Sequence, residues 1–220
     1  MTNYVSFSLW GSKPIYCIGA LKNAELMSKI YKQWKMVVYY DGTVPRPIIN
    51  KLNEIGVITI DATSFEIYGM FWRFFAYTID DCEYVVFRDC DSRISDREFS
   101  AVNEWIKSNK TVHVMRDHPA HKIPYGTDRP GILGGMWGIK KTGYDLFGHI
   151  MSFIKNKDLS YGSDQTFLSE VYKTFQDDMI IHDEFSDGLK FPLPRVEKRF
   201  VGERINVNDL PLTNDHLIIQ

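Results

Sequence analysis

The strongest constraint in the sequence is a recurring unit in which a short, largely apolar strand is followed by a turn, a helix and another such strand. Tyr4 to Leu9 reads as a strand that stops at Trp10-Gly11. Residues Ile15 to Trp34 place Ile18, Leu21, Met27, Ile30, Tyr31 and Trp34 at helical spacing, enough for one or two helices. Met36 to Tyr40 is a second apolar run, closed by the turn signal Asp41-Gly42. Pro47 to Glu54 reads as helix, Val57 to Ile60 as a short strand, Phe65 to Ile79 as helix and Tyr84 to Phe87 as a buried strand. Strands that are apolar at every position, rather than at alternate ones, are covered on both faces, as in a parallel sheet between helix layers. The first hundred residues therefore predict a doubly wound α/β arrangement.

Beyond that point the pattern loosens. Phe99 to Lys107 reads as a helix and Thr111 to Met115 as a strand. The segment from Asp117 to Gly138 holds three prolines and five glycines, too irregular for packed regular structure. A loop of that length in a compact domain is usually functional. Tyr144 to Ile154 and Ser163 to Tyr172 return to helical spacing, Met179 to Ile181 is a strand, and the tail from Asp183 is loop-rich and expected to wrap the surface. There is no internal repeat, low-complexity tract or linker-like stretch, so one domain over residues 1–220 is expected.

Composition narrows the function classes. Lys and Arg total 26 against 28 Asp and Glu, a formal net charge of -2, so the chain lacks the basic excess of a protein that lives on nucleic acid or an anionic membrane. Cys17, Cys82 and Cys90 are odd in number with no close pair, which excludes a zinc ribbon or CxxC couple and points to a reduced, cytoplasmic compartment, viral or host. The first ten residues carry no basic, apolar leader pattern, and no stretch approaches the roughly 18 apolar residues of a membrane span. A soluble chain with no transmembrane segment is expected.

The sharpest local signal is Asp89-Cys90-Asp91, straight after the buried strand Tyr84 to Phe87. In extended chain, positions i and i+2 face the same side, and the carboxyl ends of strands are where open α/β sheets bind ligands. Two carboxylates converging there repel unless a hard divalent cation joins them, and such a cation can bridge a diphosphate and stabilise its departing charge. Solvated loop aspartates, or a helix cap at Asp89, are the plain alternative. A calcium loop starting at Asp89 would want Asp or Asn at 93, Gly at 94 and Glu at 100, but the residues are Arg93, Ile94 and Ser100. Arg93 also stands where an aspartyl-phosphatase loop usually has Thr or Val.

Other residues cluster around this signal. Arg73 lies inside an apolar helix, where a charge is costly unless paired. It either snorkels, pairs with Asp80 or Asp81, or aims its guanidinium at a sugar or diphosphate, and Arg88 has the same choices. Gly134 and Gly135 allow close backbone approach to a ligand, and Trp137 beside them can stack on a sugar ring; a tight bulge in a strand is the alternative. His118 and His121 read as ordinary hydrogen-bonding residues. Asp164 sits where the helix dipole favours an acid, with Ser163 as a plausible cap. His182 closes an apolar strand and is placed to be a third ligand beside Asp89 and Asp91, which shifts preference from magnesium towards manganese.

Taken jointly, these residues resemble the nucleotide-sugar glycosyltransferases of the GT-A fold, small viral and bacterial glycan transferases in particular. The resemblance runs from the first strand to Gly202. Asp89, Cys90 and Asp91 are similar to the Asp-x-Asp motif, and Gly134-Gly135-Met136 resembles the glycine segment that contacts donor and acceptor in lipooligosaccharide-type galactosyltransferases. Ser163-Asp164-Gln165 resembles their Asp-Gln motif, and His182 their late metal-binding histidine. Thr166 departs from the pattern, standing where the family has a second aspartate. The resemblance implies a mixed, mostly parallel central sheet flanked by helices, with Mn²⁺ or Mg²⁺ held by Asp89, Asp91 and His182 on the diphosphate of a nucleoside-diphosphate-sugar donor. It further implies nucleoside contacts from Leu9, Trp10, Gly11 and Asp41, and a catalytic corner of Asp164, Gln165 and Arg73. A UDP-sugar is expected over a GDP-sugar, with a glycan or glycoprotein hydroxyl as acceptor. Asp164 is the natural base if configuration inverts; the Asp-Gln similarity leans towards retention. Two rivals share features: a sugar-phosphate nucleotidyltransferase, which would normally open with a basic glycine-rich loop where this chain has Ser8 to Lys13, and a non-catalytic carbohydrate-binding domain, which would use the aromatics but not the acids.

Overall fold

The computed structural model describes residues 1–155, 157–186 and 188–219. Seven strands form one sheet: β1 (Thr2–Leu9), β2 (Lys35–Tyr40), β3 (Ile58–Asp61), β4 (Cys82–Arg88), β5 (Val112–Arg116), β6 (Met136–Lys140) and β7 (Met179–Asp183), in the order β3-β2-β1-β4-β6-β5-β7. The pairs β1–β2, β2–β3, β1–β4 and β5–β7 are parallel, while β6 runs antiparallel to both of its neighbours, β4 and β5. The expected mixed, mostly parallel sheet is the one observed.

Helices α1 (Pro14–Ile30), α2 (Arg46–Ile55) and α3 (Asp96–Ser108) cover one face. The other face is covered by α4 (Leu146–Ile154), α5 (Ser163–Phe175) and a long 3₁₀ stretch, Gly69–Thr78. Each helix starts or stops on local chemistry. Pro14 opens α1, where its missing N–H is not needed. Ser95 accepts the Glu98 amide at the start of α3, and Asp145 caps α4 through the Gly148 amide. The single helix α1 ends at Ile30, short of the expected Trp34; Tyr31 caps it through its amide to the Met27 carbonyl, and the Tyr31 and Trp34 rings pack edge-on beyond it with centroids 5.1 Å apart.

Two departures from the sequence expectation bear on function. The Asp117–Gly138 segment is not irregular to its end, since its last residues enter β6, the strand between β4 and β5. The helix expected over Phe65–Ile79 is a 3₁₀ stretch over Gly69–Thr78, preceded by a separate short turn, Thr63–Phe65. Ser8 Oγ accepts the Arg73 amide at 2.9 Å and Ser6 Oγ donates to the Arg73 carbonyl at 2.7 Å. Groups that an α-helix would use internally are thus taken by buried hydroxyls of β1, and the coil tightens. Among the described residues no helix is long and apolar enough to cross a membrane.

Candidate active site

The site is built around a buried cation. With its backbone gripped by Ser6 and Ser8, Arg73 is 4% exposed and extends its guanidinium between two carboxylates. Nη1 pairs with Asp89 just past β4, and Nη2 lies 2.7 Å from Asp164 Oδ2 in the first turn of α5. Asp80 and Asp81 do not take this role; Asp81 accepts from the Thr2 and Tyr4 hydroxyls. Burial alone would lower the Arg73 pKa, but the two carboxylates outweigh it and raise it. Asp164 is fully buried, and burial pushes its carboxyl upward against the opposing pull of Arg73. Its second oxygen, Oδ1, has no hydrogen-bond partner among the described residues.

Gly134 and Gly135 press onto this bracket. A Cβ on Gly134 would overlap Asp164 Oδ2, and one on Gly135 would overlap Asp89 Oδ2. Any side chain at either position would drive the carboxylates out of place, so these glycines are required by close approach.

Asp89 and Asp91 share the turn after β4. Asp91 is mostly buried, and burial together with the neighbouring Asp89 charge raises its carboxyl pKa. The C-terminal tail answers that charge, with Arg204 Nε 2.8 Å from Asp91 Oδ2 and the Ile205 amide donating to the Asp91 carbonyl at 2.7 Å. Each aspartate thus has one carboxylate oxygen tied to a guanidinium. The second oxygens, in the same turn after β4, are of the type a hard cation takes together with phosphate and water. Arg204 was not foreseen; only its charge in a loop-rich tail could have marked it.

Several expected contacts are corrected. His182 is not brought to the aspartates, and no group of three His, Cys, Asp or Glu able to hold a metal exists among the described residues. β7 lies three strands from β4 in the sheet order, a lateral separation of about 14 Å. The His182 ring is spent elsewhere, with Nε2 3.2 Å from Glu104 Oε2 and Nδ1 2.8 Å from His113 Nε2. Arg88 is not a ligand contact either. It is 1% exposed and reaches into the core, where Nη1 donates to the Gly135 carbonyl at 2.5 Å, Nη2 to Ser92 Oγ at 3.0 Å, and Nε lies 3.2 Å from Glu98 Oε2. Trp137 is fully buried against Phe87 and Phe74 and cannot stack on a sugar. Cys90 is 3% exposed, its thiol facing the Ser8 carbonyl and pushed up in pKa by burial. Leu9 points its side chain into the core.

The remaining rim residues do gather. The Gly11 amide donates to Thr43 Oγ1 at 2.6 Å, and the Thr43 hydroxyl donates to Asp41, joining the ends of β1 and β2 through a threonine the sequence reading did not single out. Trp10, 39% exposed, leans on Tyr68 and Trp72 beside them. Gln165 is committed to the loop, its Oε1 accepting the Tyr125 amide at 2.7 Å.

The histidine network fixes a pH response. Glu104 accepts from His182 Nε2–H, so His182 Nδ1 must accept from His113 Nε2–H, which leaves His113 Nδ1 bare and, in agreement, without a partner among the described residues. Burial lowers the pKa of His113 and of His182, and burial with neighbouring His118 pushes His121 down to about 3. Below the unfolded value of about 6.5 the unfolded chain therefore binds more protons than the folded one, and stability present above that pH is lost on acidification. The melting temperature is expected to fall between pH 7 and pH 5, each such histidine contributing up to about 1.4 kcal/mol per pH unit. A thermal melt series checks this, and a flat profile contradicts it.

Comparison with known proteins adds fold information only. No protein-family model and no curated protein sequence matches the chain. Solved structures do. The galactosyltransferase LgtC, in complex with donor and acceptor sugar analogues, superposes with a TM-score of 0.55 at 14% identity, covering 83% of this chain and 74% of LgtC. A glycosyltransferase involved in glycosylation of the major capsid of PBCV-1 gives 0.50 at 14% identity, covering 84% of each chain. The 4-diphosphocytidyl-2C-methyl-D-erythritol synthase of Anaerococcus prevotii gives 0.54 at 9% identity, covering 84% of this chain and 90% of that one. The chain has the GT-A-type, Rossmann-like fold of these enzymes.

Proposed function

We propose that residues 1–220 form a single catalytic domain that transfers a sugar from a nucleoside-diphosphate-sugar, a UDP-sugar favoured over a GDP-sugar, to a hydroxyl of a glycan or glycoprotein. The observation that carries this reading is the Arg73 bracket, a buried guanidinium holding Asp89 of the Asp-x-Asp turn and Asp164 of α5 in one cluster. Asp89 and Asp91 would hold Mn²⁺ or Mg²⁺ together with the donor diphosphate. Bound there, the ion supplies Lewis-acid charge to the departing phosphate. With His182 absent, the donor set is all oxygen, which removes the reason for favouring manganese over magnesium.

The protein groups divide the remaining work. Trp10, Gly11 and Asp41 line the β1–β2 rim where a nucleoside would sit. Arg73 orients both acids and adds positive charge where the diphosphate departs. In the reaction the bond from the sugar carbon to phosphate oxygen breaks and one to the acceptor oxygen forms. The acceptor proton goes to Asp164 on inversion, or to the leaving phosphate oxygen on retention. The three cysteines are buried and unpaired, in keeping with a reducing, cytoplasmic setting. Nucleotidyl transfer is the second reading, favoured by the synthase likeness; the carbohydrate-binding alternative loses its Trp137 platform, since that ring is in the core.

A thermal-shift panel of UDP, GDP and their sugars, with and without Mn²⁺ or Mg²⁺, tests the proposal. Nucleotide and metal together are expected to raise the melting temperature by about 5–10 °C at a hundredfold excess over Kd. Asp91→Ala is expected to abolish the rise. No response to any nucleotide would leave glycosyl transfer unsupported, and a response to nucleoside triphosphates alone would favour the nucleotidyl reading.

A further inference from the structure

We propose that Tyr125 and Tyr161 form a stacking platform for a sugar ring of the acceptor, held in place by Gln165. The inference rests on the glycosyl-transfer reading and names the acceptor class for the same site. These are the most exposed aromatic side chains among the described residues, at 63% and 67%, and their rings lie 5.2 Å apart at 68°. Exposing two large rings to water is unfavourable, and a pair set nearly at right angles makes a corner rather than a flat greasy patch.

The corner is built, not incidental. Gly162, at φ +89° in the left-handed region, is the residue before α5, and a Cβ there would come within 2.6 Å of the Tyr125 ring. The Tyr125 ring therefore lies directly on the backbone two residues before Asp164. Gln165 fixes the Tyr125 amide from the same helix turn. The loop after β5 is thus fastened to the start of α5 at the position where Asp164 enters the Arg73 bracket.

Placement and chemistry point to a polyhydroxylated ring. Tyr125 packs on Gly162 and is tied to Gln165, the residues flanking the start of α5 where Asp164 enters the Arg73 bracket, so the platform stands beside the charged cluster. Partial burial and then the Asp89 charge push the Tyr161 phenol up in pKa. A pyranose has one apolar C–H face that suits an aromatic ring and a rim of hydroxyls that suits carboxylates and guanidinium. Trp10 and Asp41, at the ends of β1 and β2, lie on the other side of β4 from β6 and its preceding loop. The tyrosine pair therefore serves the acceptor rather than the nucleoside.

The test uses the full chain, with methyl hexopyranosides as probes and saturation-transfer NMR as the readout, with and without UDP and Mg²⁺. Saturation is expected to pass to sugar ring protons in the parent and to be lost in Tyr125→Ala/Tyr161→Ala, while Tyr125→Phe/Tyr161→Phe retains it. Where transfer is assayed, the acceptor KM is expected to rise about tenfold in the alanine pair, and Gln165→Ala to raise it in part. A retained UDP- and Mg²⁺-dependent thermal shift shows that the alanine pair is folded and that the donor site is separate. No saturation transfer in the parent, the same transfer in the alanine pair, or a rise confined to the donor KM would overturn the platform. Loss of nucleotide binding in the parent would instead strike at the underlying reaction.

Discussion

Replacing Arg73 with alanine is expected to abolish sugar transfer and weaken the fold together. Asp164 is fully buried and Arg73 supplies its ionic partner. Removing one member of a buried pair leaves the other desolvated and uncompensated, at a cost of about 3–5 kcal/mol. Asp89, half exposed, adds little to that figure because water screens it. On rate, loss of a preorganised cation aimed at departing charge costs about a thousandfold. Asp164 responds as well. Its pKa already lies above the ordinary value, and without Arg73 it rises further, so the acid limb of the pH–rate profile moves to higher pH. Arg73→Lys separates charge from geometry, since an ammonium cannot hold two carboxylates in the planar fork a guanidinium offers. It is expected to recover part of the stability and little of the rate. Release of nucleoside diphosphate and melting temperature are the two measurements. An Arg73→Ala protein within tenfold of the parent rate would remove the bracket from the mechanism.

What the sequence disclosed and what it hid follow from the range over which each interaction acts. β1, β2 and β4 were legible because burial on both faces writes itself locally, as largely apolar runs such as Met36 to Tyr40 and Tyr84 to Phe87. β6 was hidden because glycines at 134, 135 and 138 imitate a loop, and their reason lies in groups brought up from elsewhere in the chain: the Asp164 and Asp89 carboxylates for the first two, the Trp105 ring and the Val85 carbonyl for the third. Arg73 advertised itself as a charge in an apolar segment, yet its partners are 16 and 91 residues away and no spacing rule reaches them. Ser6 and Ser8 carried a fainter signal, two hydroxyls on a strand that is otherwise apolar. His182 misled for a related reason. A strand end in the sequence says that a residue reaches the rim, but not where on the rim, because that depends on a strand order written nowhere in the local pattern. Arg204 answers Asp91 from a tail with no periodicity to read.

Glu98→Ala is expected to lower the melting temperature by about 10 °C, although Glu98 touches no part of the rim. Its carboxylate lies 3.2 Å from Arg88 Nε and accepts from the Tyr31 hydroxyl at 2.9 Å, and all three side chains are at or below 1% exposure. Burial raises the Glu98 carboxyl pKa while Arg88 pulls it back, and that balance fails in the other direction when the acid is removed and Arg88 is left as a lone buried cation. Arg88 is in turn what fastens the site from beneath. It holds the Gly135 carbonyl on one side and Ser92 Oγ on the other, and Ser92 Oγ donates to the Asp89 carbonyl at 3.1 Å. Stability and positioning can therefore be pulled apart. In Arg88→Met/Glu98→Leu the buried charges are replaced by apolar groups of similar size, which often restores stability. Melting temperature is expected to return towards the parent, whereas transfer remains depressed, because Gly135 and the Asp89 turn have lost their common anchor. Recovery of both together would show that the pair is structural filling, and recovery of neither would show that the core cannot be repacked around Tyr31.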